Sequence, residues 1–113
     1  MGGDFESYSA QLRKGVVQLL VLQVLSSESL YGYALVKRLE ELGEFVAGEG
    51  TVYPVLRRLE ADGLLSADWV NDTPGNPRKY YSVTEAGAAF LARTLEEWDR
   101  IVTAVHGLRG AER

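Results

Sequence analysis

From about Ser9 to Ser26 the chain carries Leu12, Val16, Val17, Leu19, Leu20, Val21, Leu22, Val24 and Leu25. On a helix these side chains are apolar nearly all round, so the helix has to be enclosed by other elements on most of its sides. Its densest part, Val16 to Leu25, is interrupted by Gln18 and falls well short of the ~20 residues that cross a bilayer. It reads as a central core helix, and the rest of the chain must wrap it. With 113 residues there is room for one domain of the usual ~100–200 residues and none for a separate ligand-binding domain. A domain this small buries a limited share of its surface, which makes pairing with a second copy favourable.

No internal repeat or low-complexity segment is visible, and glycine and proline punctuate the wrapping into short elements. Ser29 is placed to cap a second helix over about Tyr31 to Leu42, with Ala34, Leu35, Val36, Leu39 and Leu42 facing inward and Gly43 as the stop. A third helix is expected over about Thr51 to Asp62, where Val52, Val55, Leu56 and Leu59 form one stripe and Gly63 ends it. With Thr51 as N-cap, Pro54 falls in the first turn, where a missing N–H costs nothing. Leu65, Ala67 and Trp69 then alternate with Ser66, Asp68 and Val70, and a second strand is expected over Lys79 to Val83. The turn formers from Asn71 to Arg78 make this a β-hairpin with an eight-residue tip. The same alternation points Trp69 inward.

Thr84, followed by Glu85, is an N-cap for a last helix reaching about His106. That helix is roughly 33 Å long, more than so small a domain can cover. Along it Ala88, Leu91, Leu95, Trp98, Val102 and Val105 recur at steps of three and four, the seam of a coiled coil. The uncovered seam most simply meets its counterpart on a second copy, so Leu91, Leu95, Trp98, Val102 and Val105 are the expected dimer interface.

Composition removes several function classes. There is no cysteine and one histidine, which excludes disulfides and thiolate chemistry and makes a poor metal site, so none is expected. His106, near a helix C-terminus, reads as a capping or exposed side chain. No nucleophile elbow or P-loop is present, and the adjacent carboxylates Glu40/Glu41 and Glu96/Glu97 diverge by about 100° on their helices. No enzymatic activity and no cofactor are expected. The N-terminus, Met1-Gly2-Gly3-Asp4-Phe5-Glu6, lacks the basic region of a signal peptide, and no membrane segment is seen, so the expected location is the cytoplasm. Twelve basic and sixteen acidic residues leave a net charge of −4. A polyanion would be repelled by the protein as a whole, and binding to one has to rest on local geometry.

Three helices, a hairpin and a long helix follow the order of a winged helix-turn-helix. The fold expected is mainly α with a small β-hairpin (α+β), with a DNA-binding domain over 9–83 and a C-terminal dimerisation helix over 84–108. With the Val52/Leu56/Leu59 stripe inward, the third helix turns Pro54, Arg57, Arg58 and Ala61 outward. Arg57 and Arg58 suit bidentate contact with guanine or phosphate. They equally suit a solvated face paired with Glu41, Glu60 or Asp62. Thr51 and Tyr53 at the helix start can donate to phosphate, although Tyr53 can instead pack beneath the helix; the phosphate role is the one expected. Asn76, Arg78 and Lys79 at the hairpin tip can reach a neighbouring groove or form a plain solvated turn. Arg57, Arg58, Arg78 and Lys79 are expected to converge, away from Glu6, Glu96, Glu97, Asp99 and Glu112. The competing reading is a winged-helix module that meets an acidic protein partner and binds no specific DNA.

The run from Gly50 to Leu64, GTVYPVLRRLEADGL, resembles the recognition-helix signature of PadR-type transcriptional regulators. Tyr31-Gly32-Tyr33 and the run from Arg78 to Gly87, RKYYSVTEAG, match the same family in the same order, so the resemblance spans about Lys14 to Gly87. It implies a homodimeric repressor that binds double-stranded DNA at an inverted-repeat operator and leaves it when a small-molecule effector binds. The family's recognition positions fall on Thr51, Tyr53, Pro54, Arg57 and Arg58, and its wing positions on Arg78 and Lys79. The single long C-terminal helix is similar to that of the small, LmrR-like multidrug-responsive members. In those, a tryptophan at the place of Trp98 lines a cavity between subunits and stacks planar aromatic effectors. Two facing indoles suit flat, often cationic compounds. An aromatic at helical spacing is more often packing than a ligand site, so filling the seam is the simpler role for Trp98; Glu96, Glu97 and Asp99 nearby can favour a cation or be merely solvated.

Overall fold

The computed structural model describes residues 4–43 and 49–111; Met1, Gly2, Gly3 and Glu112, which entered the readings of location and charge, lie outside them. Helix α1 (Phe5–Ser27) begins earlier than its apolar run because Asp4 caps it, accepting a hydrogen bond from the Ser7 N–H at 2.8 Å. It ends where the Ser26 and Ser27 hydroxyls donate to the carbonyls of Gln23 and Val24. Hydroxyls bonded to backbone carbonyls compete with the next helical turn. Val17, Leu19, Val21, Leu22 and Leu25 of α1 are buried, and α1 touches α2, α3, α4 and the sheet. The central place expected for this helix is the one it occupies.

Strand β1 (Leu30–Tyr31) is an element that the sequence reading lacks. It pairs antiparallel with β3, with Leu30 opposite Tyr81 and Tyr31 opposite Tyr80. Ser29, expected to cap α2, donates instead to the Tyr81 carbonyl at 3.0 Å and extends this pairing. Helix α2 (Gly32–Glu40) therefore starts from Tyr31 with no side-chain cap, and its inner face is Leu35, Val36 and Leu39. Leu42 lies beyond the helix and is exposed.

Helix α3 (Glu49–Ala61) buries Val52, Leu56 and Leu59 as expected. Its described start precedes Thr51, so Thr51 is not its N-cap and Pro54 lies inside it. Pro54 then lacks the N–H that would reach the Gly50 carbonyl one turn earlier. The C-terminus is a Schellman arrangement: Leu64 N–H donates to Leu59 and Gly63 N–H to Glu60, with Gly63 at φ +78°. Only glycine takes that backbone conformation without strain.

The hairpin is longer and tighter than expected. Strands β2 (Leu65–Thr73) and β3 (Asn76–Val83) pair along their length, with an irregularity between Val70 and Thr73. Thr73 lies opposite Asn76, so the connection is Pro74-Gly75 alone, with Gly75 at φ +78°. Proline followed by a left-handed glycine is what a type II turn uses. The sheet is antiparallel in the order β1-β3-β2. Among the described residues, four helices and this small three-stranded sheet make a winged helix, mainly α, as expected.

Helix α4 (Glu85–Ala111) spans about 40 Å at ~1.5 Å per residue. Thr84 caps it, accepting from the Gly87 N–H at 2.9 Å. The same hydroxyl donates to the Gly63 carbonyl at 2.7 Å, and Thr84 N–H donates to the Leu64 carbonyl. Gly87 lies so close to the Leu64 carbonyl that a Cβ there would run into it. The end of α3 and the start of α4 are thus one hydrogen-bonded junction.

From Asp99 to Gly110, α4 is exposed except at Val102. The radius of gyration is 16.5 Å, against about 13 Å for a compact chain of this length. Leu91 is 8% exposed and packs in the chain's own core, and Leu95 packs against that core. This corrects the expectation that Leu91 faces a second copy. The apolar side chains that α4 leaves uncovered are Phe90, Trp98, Ile101, Val105 and Leu108. Four of them, Trp98 to Leu108, fall on one stripe, rotated slightly from the expected seam because the body covers its first turns.

Replacing Thr84 by alanine is expected to cost about 1–2 kcal/mol, because it removes a cap and the hydrogen bond that ties it to the exposed Gly63 carbonyl. Thr84→Ser should retain most of that stability. Urea denaturation at one fixed protein concentration reads both, and equal loss in the two variants would contradict the role of the hydroxyl.

Candidate nucleic-acid interface

The buried stripe of α3 sets what its opposite face presents. Pro54, Arg57 and Arg58 are exposed there. Arg57 forms no ion pair among the described residues, and Arg58 meets only Asp62, at 3.9 Å with both side chains largely exposed. An exposed pair of this kind is worth ~0–1 kcal/mol, so the Arg58 guanidinium can exchange Asp62 for a phosphate at little cost. Neither arginine pairs with Glu41 or Glu60; those carboxylates meet Arg38 and Lys79.

Tyr53 takes the packing role, against the expected phosphate role. It is half-buried against the core, and its ring lies so close to Gly32 that a Cβ there would overlap Cε1. Tyr31-Gly32-Tyr33 thus includes the one residue small enough to let α3 dock on the start of α2. Burial, followed by the charge of Glu49, holds the Tyr53 phenol above the ordinary 10.0. Thr51 is half-buried at the start of α3.

The wing residues do not converge as expected. The period of two puts Arg78 and Lys79 on opposite faces of β3. Lys79 lies on the helix side, where its ammonium is 3.1 Å from Glu60 Oε1 of α3. The hydrogen bond to Glu60 holds its pKa above the ordinary 10.5. The Lys79 charge is therefore used inside the protein, tying the wing to α3. Arg78 lies on the other face with its guanidinium carbon 4.5 Å from the centre of the Tyr31 ring. Tyr31 in turn meets Tyr80 edge-on at 5.4 Å, and the Tyr80 hydroxyl donates to Asp72. Cation–π contact at an exposed site is weak, about 0.5–1 kcal/mol, and leaves the Arg78 N–H groups able to bind elsewhere. Asn76 closes the hairpin and is exposed.

Two features escaped the sequence reading. Arg13, Lys14 and Gln18 of α1 line a cleft of about 390 Å³ with Thr51, Pro54 and Arg58 of α3. The signal was a basic pair on the side of α1 opposite Leu12, Val16 and Leu19, obscured by reading the helix as apolar all round. The second feature is Trp69, which is 70% exposed and not a core residue. Its alternation is right, but the helices stop short of its position on the wing. Trp98, by contrast, borders a cleft of about 290 Å³ with Leu12, Val16 and Leu19 of α1 and Thr94, Glu97 and Ile101 of α4.

Gly32→Ala is expected to destabilise the fold by roughly 1–3 kcal/mol through overpacking against Tyr53. Combining it with Tyr53→Leu should cost less than the two single changes summed, measured by a denaturation cycle; strict additivity would refute the contact. The phenol also has a pH signature. Its raised folded value means that its contribution is complete below the unfolded value near 10 and is lost as pH rises through the folded one. The difference in thermal midpoint between wild type and Tyr53→Phe should change between pH 9 and pH 11 in that sense.

Residues 21–93 match the family described as the transcriptional regulator PadR-like family. Transcriptional regulator Rv3488 of Mycobacterium tuberculosis is 37% identical over 95 residues, 81% of this chain and 87% of that protein. A PadR family regulator from Eggerthella lenta superposes with a TM-score of 0.80 at 39% identity, covering 91% of this chain and 89% of the other. A PadR-like regulator of Bacillus cereus gives 0.78 at 33% identity, covering 87% and 95%. These relatives are named as transcriptional regulators, not enzymes, and among the described residues no helix is long and apolar enough to cross a membrane. This chain belongs to the PadR-like family of transcriptional regulators.

Proposed function

We propose that the protein is a homodimeric, sequence-specific DNA-binding repressor, released from an inverted-repeat operator by a planar aromatic effector. The observation that carries the DNA reading is the outward face of α3. Arg57 and Arg58 stand there opposite the buried Val52, Leu56 and Leu59, with no strong partner among the described residues. Arg57, Arg58 and the start of the helix at Thr51 and Pro54 then enter the major groove, and Arg78 and Asn76 on the wing reach the flanking backbone. Arg13 and Lys14 of α1 line the cleft beside α3 together with Arg58, and in a chain of net charge −4 binding rests on this local grouping of basic residues. Lys79 and Tyr53 act indirectly, holding the wing and α3 in place.

The dimer reading rests on the apolar surface left bare along α1 and α4. Phe5, Tyr8 and Leu12 of α1 and Trp98, Ile101, Val105 and Leu108 of α4 are exposed. Contiguous apolar surface of this kind marks an interaction site, and the three-and-four spacing on α4 fits a helix-to-helix seam. Two copies joined there would present their α3 helices to half-sites about one DNA turn apart. The cleft beside Trp98 opens on the same seam, and Glu97 at its edge can exchange its exposed partner Arg100 for a cationic aromatic ligand at little cost. Such a ligand weakens DNA binding only as far as it prefers the unbound spacing, typically ~1–3 kcal/mol of coupling.

Fluorescence anisotropy against DNA from upstream of the protein's own gene, with a scrambled duplex and a genome-wide selection alongside, tests the DNA reading. Arg57→Ala is expected to lose about 1–3 kcal/mol, with relaxed sequence preference if it reads a base. Unchanged binding in both Arg57→Ala and Arg58→Ala would refute the face, and no specific duplex from the selection would favour a protein partner instead. For the dimer, Val105→Glu should shift the sedimenting species from twice the chain mass towards one; a monomeric wild type would contradict the seam.

A further inference from the structure

Trp69 is strongly exposed, yet it stands on the face of the sheet that the core uses. Leu65, Ala67 and Trp69 alternate along β2, and their partners on β3 are Val83, Tyr81 and Lys79. Leu65 and Tyr81 are buried, and Lys79 reaches Glu60, so this face looks towards the helices. Trp69 is paired with Lys79, just past the helical cover. Glu60 is one turn along α3 from Arg57. The indole is therefore held beside the junction of wing and α3, close in the fold to the outward arginine face.

A single exposed aromatic is ordinary, and exposure alone decides nothing. Two further observations give this one a direction. The first is its fixed placement: β2 and β3 stay in register through Val70, and the residue opposite Trp69 is anchored to α3 by the 3.1 Å ion pair. The second is the distribution of charge on the wing. Lys79 on this face is occupied by Glu60, while Arg78 sits on the opposite face over Tyr31. Among the described residues, what the helix side of the wing offers a neighbouring strand of DNA is thus an aromatic plane, with its lysine already paired.

We infer that Trp69 packs its indole against the deoxyribose rings of the DNA strand that passes between α3 and the wing. The contact rests on the DNA-binding reading above and extends it with an apolar, sequence-independent grip. Sugar C–H surface matches an indole plane, and no cation is displaced when they meet. Its contribution to affinity is then independent of salt, unlike that of an arginine on phosphate. It also falls equally on operator and scrambled duplex, because every nucleotide carries the same sugar.

The test uses the full chain labelled with 5-fluorotryptophan, whose two tryptophans give two ¹⁹F resonances, assigned by the one missing in Trp69→Phe. Adding duplex should shift the Trp69 resonance over the same concentration range as the anisotropy change. Trp69→Ala should weaken binding to operator and scrambled DNA alike by about fivefold to tenfold, the scale of burying part of an indole. The slope of log affinity against log salt should be that of wild type, and Trp69→Phe should recover most of the loss. An unmoved Trp69 resonance with intact anisotropy overturns the inference and leaves the DNA reading standing, as does a loss confined to the operator or a changed salt slope. A Trp69→Ala change in sedimentation in place of affinity assigns the indole to a second copy and overturns it too. No binding to any duplex overturns the inference together with the DNA reading.

Discussion

The Thr84 hydroxyl is the point through which the two working parts of this molecule are joined. It accepts from Gly87 N–H to begin α4 and donates to the Gly63 carbonyl that ends α3. Gly63 has to be left-handed for that carbonyl to be there, and Gly87 has to lack a Cβ for α4 to come so near Leu64. Three small residues thus fix the angle between the helix that carries the arginines and the helix that carries the apolar stripe. In the proposed dimer, the spacing of two α3 helices is set by the seam only because this junction is stiff. A loose junction would let the seam move without moving α3, and an effector at the seam would then have no effect on DNA.

Helix α1 gives a second route between the same parts. One side of it, Leu12, Val16 and Leu19, borders the cleft at Trp98. The other side, Arg13, Lys14 and Gln18, borders the cleft at α3. In the proposed mechanism, a compound wedged against the first side would push on the wall of the second. Packed interiors transmit such displacements because they contain few voids to absorb them. The sequence hid this by its own strength: a helix apolar nearly all round reads as core, and its two distinct margins become visible only when α3 and α4 are seen on either side of it.

The pattern of the chain made the architecture legible, because each helix had either a continuous apolar stripe or a capping residue that the structure uses. Thr84, Gly63 and the Val52/Leu56/Leu59 stripe are where local chemistry and tertiary packing agree. The wing was legible in kind and not in length: turn-forming residues from Asn71 to Arg78 suggested a loose tip, but Pro74-Gly75 alone makes the turn and the rest extend the ladder. Short strands paired at long range leave little local trace, so β1 was invisible and Ser29 was given to the wrong partner. The misplacements of Tyr53, Lys79, Leu91 and Trp69 share one cause. Periodicity says which face a side chain is on, but not how far the neighbouring element extends over it. Lys79 found Glu60, Leu91 found the core, Tyr53 found Gly32, and Trp69 found nothing within its own chain's core.

The proposed repressor requires α3 of two copies to meet DNA together. The direct measurement is a hydroxyl-radical footprint of the full chain on the tightest duplex recovered from a genomic selection. Two protected patches are expected, related by inverted symmetry and centred about one helical turn apart, each flanked by weaker protection where the wing lies. A single patch, uniform protection along the duplex, or two patches in direct repeat would contradict the proposal.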